Sequence, residues 1–239
     1  MKQLLTVALG LLATGFLQTA VAQKEKKETI ERNGNLVTKE IQVEPFTTLD
    51  ASGVYELKLT QGNTEGVRIE ADENLQELFT VRNEGSRLVI HMKKMDNINL
   101  RTKNKMRVYV SFKNLKALDL KTVGNVSSSN DLSFDDLELT NKSVGNVDLE
   151  LTATKLNLEN SSVGNVTLSG RADEAVMKNS GVGSLKAGNF VVQTLDINNS
   201  GVGAAEVHAT RGLKVKDSFL GKVKNHGAAS ARKLNKVNI

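Results

Sequence analysis

Apolar and polar residues alternate along much of the chain in short blocks. Tyr55, Leu57 and Leu59 face one way with Glu56 and Lys58 the other, and Val67 and Ile69 oppose Arg68 and Glu70. Leu88, Ile90 and Met92 form a third set, and Met106, Val108, Val110 and Phe112 a fourth. A period of two over such lengths predicts strands with one buried face, and the Gly-bearing segments Gln61-Gly62-Asn63 and Asn83-Glu84-Gly85-Ser86 read as their turns. Only Asp72 to Phe79 has the look of a helical turn.

The second half repeats itself, most clearly over residues 115–225. A small or polar residue, an apolar residue and a glycine recur, with the glycines at Gly124, Gly145, Gly164, Gly183, Gly203 and Gly221, spaced 21, 19, 19, 20 and 18 residues apart. One place before each glycine stand Val123, Val144, Val163, Val182, Val202 and Leu220; two places after stand Val126, Val147, Val166, Leu185, Ala205 and Val223. Six places before stand Leu118, Leu139, Leu158, Met177, Ile197 and Val215, and eight before, from the second copy on, Leu137, Leu156, Ala175, Leu195 and Leu213. Each repeat therefore reads as a short L-x-L strand, a turn and a V-G-x-V strand, with no room for a helix. A solenoid of rungs this short is all-β, a parallel β-helix in which equivalent residues stack about 4.8 Å apart and bury continuous apolar columns.

A polar column fits the same reading. Four places before the glycines stand Asn141, Asn160, Asn179 and Asn199, followed by Asp217, and stacked amides can form a ladder of hydrogen bonds along the axis. The glycines are expected where the chain corners with positive φ or where no Cβ fits. The competing solenoid of this period, the leucine-rich repeat, requires L-x-x-L-x-L-x-x-N-x-L. Here the Asn follows its leucine by two residues, as in Leu139 to Asn141, and a strand follows it.

Composition narrows the function classes. The 239 residues contain no Cys, which excludes a disulfide scaffold, a thiol enzyme and a Cys-ligated metal centre. Residues 1–22 read as a secretory signal: Lys2, an apolar run from Leu4 to Leu17 broken by Gly10 and Gly15, then Ala20 and Ala22 in a small-x-small cleavage pattern before Gln23. An uncleaved anchor helix is the alternative, and with no Cys after the run a lipid attachment is not expected. Loss of Lys2 leaves 31 basic and 27 acidic residues, a mature charge of +4, too mild and too evenly spread to indicate a nucleic-acid partner. Residues 23–42 read as a charged leader and first strand, and 43–239 as the solenoid domain.

Over about Val43 to Val223 the sequence resembles the GIN-domain family of exported bacterial proteins, also described as auto-transporter adhesin head domains of unknown function. The resemblance is carried by Phe46-Thr47-Thr48-Leu49-Asp50-Ala51-Ser52-Gly53-Val54, Leu57-Lys58-Leu59-Thr60-Gln61-Gly62 and Ser86-Arg87-Leu88-Val89-Ile90. Further on it is carried by Val108-Tyr109-Val110 with Leu115-Lys116-Ala117-Leu118, and by the corners Asn179-Ser180-Gly181-Val182-Gly183 and Asn199-Ser200-Gly201-Val202-Gly203. It implies a β-solenoid on an exported protein of Bacteroidota-like bacteria, with no established enzymatic activity. The first three corners depart from the family in reading Val-Gly-Asn-Val, and the last rung lacks the Tyr-x-Gly-x-Pro ending.

Candidate chemistry is sparse. His91, His208 and His226 stand apart with no metal-ligand spacing, and no nucleophile elbow, phosphate-cradling loop or calcium-binding repeat is present. Asp135, Asp136, Glu138, Asp148, Glu150 and Glu159 gather on two rungs, as the carboxylates of a β-helical lyase or glycosidase would, but only Phe134 accompanies them where a sugar cleft stacks rings on aromatics. A solvated face is the plainer reading. Lys93, Lys94, Arg101, Lys103, Lys105 and Arg107, opposed locally only by Asp96, form a candidate patch for an anionic ligand, and a second basic run lies between Arg211 and Lys236. The sequons at Asn125, Asn141, Asn160 and Asn165 follow from the repeat.

The expectation is a non-enzymatic exported protein, periplasmic, on the outer surface or secreted, acting as an adhesin-like or cell-envelope interaction module. Its expected partner is an envelope glycan or protein, with self-association into a homo-oligomer a further expectation. No membrane span is expected after signal cleavage, and no cofactor, metal or catalytic residue. The alternatives are the lyase or glycosidase and a self-assembling structural element.

Overall fold

The computed structural model describes residues 30–93, 98–99, 105–218 and 220–233. Residues 1–22, read as a signal, and most of the segment read as a leader lie outside them. In chain order the first nine strands are β1 (Ile30–Glu31), β2 (Leu36–Ile41), β3 (Thr48–Val54), β4 (Glu56–Gln61), β5 (Gly66–Asp72), β6 (Phe79–Glu84), β7 (Arg87–Met92), β8 (Ile98–Asn99) and β9 (Arg107–Phe112). The rest are β10 (Ala117–Val123), β11 (Val126–Ser128), β12 (Leu132–Asn141), β13 (Val147–Asn160), β14 (Val166–Asn179), β15 (Leu185–Asn199), β16 (Ala205–Asp217), β17 (Val223–Asn225) and β18 (Ala231–Lys233). Among the described residues the one helical element is the 3-10 helix Glu73–Leu78, where the sequence suggested a turn.

The strands from β10 onward stack in parallel as a β-solenoid. Val147 pairs with Val166 and Asn160 with Asn179, a constant offset of nineteen residues along β13 and β14. The expected pair of strands per rung is in fact one strand of up to fifteen residues that bends partway. In β13 the inward residues are Val147, Leu149, Leu151 and Ala153; then Thr154 and Lys155 are exposed together, and the inward set resumes at Leu156, Leu158 and Asn160. Two consecutive outward side chains mark the bend, so one strand serves two faces of the solenoid without losing its ladder. The columns six and eight places before the glycines and two places after them line the interior, buried from Leu118 to Val215, from Leu137 to Leu213 and from Val126 to Ala205.

The column immediately before the glycines does not. Val123, Val144, Val163, Val182, Val202 and Leu220 keep 49, 49, 53, 53, 51 and 63% of their surface exposed. Inward positions in this corner are four and two places before the glycine and two after it, so the residue one place before has the opposite parity and points to solvent.

The N-terminal end is closed by a change of strand direction. β7 and β9 lie parallel against β3 and β4, adding a partial rung, after which β6 pairs antiparallel with β7, β5 with β9 and β2 with β5. Apart from β2, which precedes β3, this cap is inserted between the first rung, β3 and β4, and the next, β10 and β11, and Thr48 pairs with Ala117 and Leu57 with Val126. Its anchor is Arg32, whose Nε and Nη2 donate to the two carboxylate oxygens of Asp72 at 2.7 and 3.0 Å, with both side chains almost wholly buried. These hydrogen bonds hold the Asp72 carboxyl below its ordinary range.

At the other end, β17 and β18 pair with β16 as the last partial rung. Asn225 ties it down: its Oδ1 accepts from Ala209 N at 2.8 Å, and its Nδ2 donates to Ala229 O at 2.9 Å. Lys222, Lys224 and Arg232 are exposed on this rung, while Lys39, Glu40, Arg82 and Glu84 are exposed on the edge strands of the cap. End-to-end stacking would bring these charges together, which is how natural sheets discourage edge pairing.

A candidate interaction face at the glycine corner

The corner between successive long strands is built from the inside out. Asn141 Nδ2 donates to Asn160 Oδ1 at 2.8 Å, Asn160 Nδ2 to Asn179 Oδ1 at 2.7 Å, and Asn179 Nδ2 to Asn199 Oδ1 at 2.6 Å, all buried. Ser143 and Ser162 reinforce the ladder by donating Oγ–H to Asn141 Oδ1 and Asn160 Oδ1. The ladder ends differently from the sequence expectation. Asn199 Nδ2 donates to Gly221 O at 2.8 Å, and Asp217 instead accepts weakly from Val223 N at 3.4 Å. A carboxylate has no N–H with which to continue the chain of donors, and the last corner takes another path, because Gly221 lacks the positive φ of the five corner glycines before it.

Those five, Gly124, Gly145, Gly164, Gly183 and Gly203, have φ between 132 and 147°. In each rung a Cβ would also strike the carbonyl of the rung before, as at Gly164, where it would meet Gly145 O. Gly164→Ala is accordingly expected to cost about 1–3 kcal/mol, the usual price of an unsuitable φ, measured as a lower midpoint in urea.

A second ladder lies on the outside, and two of its members, Asn125 and Asn165, figure in the sequence only as sequons. Asn125 Oδ1 accepts from Asn146 N at 3.1 Å, Asn146 Oδ1 from Asn165 N at 3.0 Å, and Asn165 Oδ1 from Ser184 N at 3.0 Å. The signal was available: each of these residues directly follows a corner glycine. Between the two ladders runs the exposed valine column, its members joined by single parallel bridges from Val123 through Val144, Val163 and Val182 to Val202. Over the three central rungs the outward residues are Ser161, Val163 and Asn165; Ser180, Val182 and Ser184; Ser200, Val202 and Ala204. Over these three rungs the stripe is uncharged with an apolar spine, and hydrogen bonds brace it inside and out.

The other candidate residues are scattered. Lys105 Nζ lies 2.6 Å from Glu56, and Arg107 lies 3.3 Å from Glu56 and 3.5 Å from Glu70, so β4 and β5 supply counter-charges that the local sequence does not show. Burial alone would raise the Glu56 carboxyl, but hydrogen bonds and charge from Lys105 and Arg107 hold it below its ordinary value. Lys93 is exposed, and Lys94, Arg101 and Lys103 lie outside the described residues. Arg107 and Lys105 are thus spoken for as structural partners of the cap.

The acidic residues divide among faces. Asp148 and Glu150 sit on the first half of β13, and Glu150 is pushed up by the nearby charges of Asp131 and Asp148. Asp135 and Asp136 lie in the middle of β12, where Asp136 is in register with Lys155, and Glu159 pairs with Lys178 at 2.9 Å. Glu138 lies beyond them on β12. The histidines also stand apart: His91 shares a hydrogen bond with Ser52, His208 contacts Gly188 O and His226 lies 3.4 Å from Glu206. Among the described residues no cluster of three or more His, Cys, Asp or Glu could hold a metal ion, and no helix is long and apolar enough to cross a membrane.

Solved structures share this architecture. A putative adhesin from Bacteroides fragilis NCTC 9343 matches 86% of this chain and 100% of its own at 29% identity, with a TM-score of 0.72. A putative lipid binding protein from Parabacteroides distasonis ATCC 8503 matches 87% of this chain and 100% of its own at 21% identity and a TM-score of 0.61, which shows a shared fold. A putative adhesin from Parabacteroides merdae ATCC 43184 does so at 22% identity and 0.52, over 87% of this chain and 99% of its own. No curated protein matches the chain. The repeat, the corners and the cap strands from β5 to β9 fall within residues 45–229, which match the family described as putative auto-transporter adhesin, head GIN domain, and the chain belongs to that family.

Proposed function

We propose that this protein is an exported, non-enzymatic, adhesin-like module that docks a cell-envelope component along the valine corner. The observation that carries the reading is the stripe itself. Six large apolar side chains stand about half exposed in one row, on a corner braced by two polar ladders. Scattered exposed apolar residues are ordinary on soluble proteins, whereas a contiguous row rimmed by polar groups marks an interaction site. The rigidity matters because a preformed surface loses little freedom on binding. Catalysis finds less support: Glu138 and Glu159 line one groove, but Glu159 is paired with Lys178 and no aromatic ring accompanies them there.

The test is a binding screen of the purified protein against envelope glycans and isolated envelope fractions, with analysis of any products. The expected result is binding without turnover, weakened at least about tenfold in a Val163→Lys, Val182→Lys variant, since charge introduced into an apolar contact must be desolvated. Polysaccharide cleavage that is lost in Asp135→Ala or Glu138→Ala would overturn this reading in favour of the lyase or glycosidase.

A further inference from the structure

We infer that the valine corner also pairs with a second copy of this chain, lying antiparallel to the first. This goes beyond the envelope-docking reading above and uses the same surface. The corner has the geometry of a self-complementary surface. Rungs of a parallel sheet recur about every 4.8 Å, so the row from Val123 to Leu220 spans about 24 Å with an even pitch. A two-fold axis across the middle of the row sets Val163 against Val182, Val144 against Val202 and Val123 against Leu220. Because the pitch is constant, all of these pairs come into register together, as isologous contacts require.

Charge selects the antiparallel orientation. The outward row five places before the glycines reads Asp119, Thr140, Glu159, Lys178, Asn198 and Lys216, and adjacent members are in register across the ladder. Reversed against itself, this row places Asp119 opposite Lys216 and Glu159 opposite Lys178. The lysines nearest the stripe meet neutral groups: Lys121 faces Ser218, Lys142 faces Ser200 and Lys222 faces Asn125.

A parallel pair, related by an axis along the stripe, instead sets this row against the one three places after the glycines. Lys178 would then face Lys186, and Lys216 would face Lys224. Like charges juxtaposed across an interface are a strong bar to that arrangement. The antiparallel pair creates one like-charge contact, Asp148 against Glu206, and there His226 already stands 3.4 Å from Glu206.

Sedimentation of the full chain over a range of concentrations tests the pairing. The expected result is a monomer–dimer equilibrium, shifted at least 100-fold toward monomer in the Val163→Lys, Val182→Lys variant with an unchanged melting midpoint. Lys178→Glu alone should weaken the dimer by about tenfold or more, and Glu159→Lys combined with Lys178→Glu should restore it. Orientation is read with single spin labels, which the absence of native cysteine makes clean. With faces about 10 Å apart, labels at Val163→Cys should lie about 11 Å from each other and labels at Val123→Cys about 26 Å.

A wild-type protein that stays monomeric throughout overturns the self-pairing, and so does a dimer indifferent to the lysines. Labels at Val123→Cys about 10 Å apart would overturn it too, because that is the parallel pair. If the monomer still binds envelope material and the lysine variant does not, the docking reading survives without self-pairing. If the lysines abolish the dimer and leave envelope binding untouched, pairing stands and the envelope reading falls.

Discussion

Replacing Arg32 with alanine is expected to lower the unfolding free energy by about 3–5 kcal/mol, because it leaves the buried carboxylate of Asp72 without its partner. The pair is two-pronged and almost solvent-free, so the loss is far larger than for the exposed pairs of this protein, such as Lys178 with Glu159 or Lys214 with Asp196. Arg32→Lys should recover only part of it, since an ammonium cannot make both parallel bonds. Denaturant titrations of the three proteins would measure this, and a change below about 1 kcal/mol would mean that the cap does not depend on the pair.

The same site predicts a pH dependence. Asp72 titrates below its ordinary value in the folded protein, so its contribution is fully present above the unfolded pKa of about 3.9. It is lost as the pH falls through the lower folded value. The stability gap between wild type and Arg32→Ala should therefore be constant near neutrality and close on acidification, when a neutral Asp72 no longer needs a cation. A gap that widened at low pH would contradict this linkage.

The second large effect is expected at the inner ladder. Asn160→Ala removes the acceptor of Asn141 Nδ2 and of Ser162 Oγ and the donor to Asn179 Oδ1. The serine hydroxyl can rotate toward another acceptor, but two buried amide groups are stranded, at about 1–3 kcal/mol each, for a total of about 2–6 kcal/mol. Asn165→Ala on the outer ladder is the control. Its Oδ1 accepts from Ser184 N at an edge that water reaches, so about 0.5–1.5 kcal/mol is expected. Equal effects at the two positions would mean that the inner column is wetter than its geometry implies.

Much of this arrangement was legible in the sequence. Six glycines at a near-constant period, with apolar columns at fixed distances from them, admit few architectures, and the Asn column pointed to stacked amides. The valine column was legible only in part. Val163 is apolar, yet Asn160 and Val166 flank it at odd distances and are both buried, so parity turns it outward. Composition and parity gave opposite answers there, and that conflict is itself the mark of a candidate functional position.

What stayed hidden depended on distance along the chain. Glu56 and Arg107 neutralise each other because β4 and β9 are neighbours, although 51 residues separate them. Arg32 and Asp72 are 40 residues apart and carry no local pattern at all. A repeat announces which of its residues stack, whereas the inserted cap, which occurs once, has no second copy against which its pairing could be read. The ladder's end at Gly221 was likewise beyond reach, because it follows from a backbone path that only the terminal rung takes.

The constant nineteen-residue offset along β13 and β14 makes the rung a unit of length as well as of folding. Each rung contacts mainly the rungs on either side, so stability in such a stack is close to a sum of neighbouring interfaces. A gene that duplicates or loses the segment from Val147 to Asn165 would change the reach of the protein by one step of about 4.8 Å and leave every column aligned. The cap and the final rung would be untouched. Reach can thus be set in discrete steps, the way a ruler is cut to a mark, while the surface chemistry of the corner is simply copied along it.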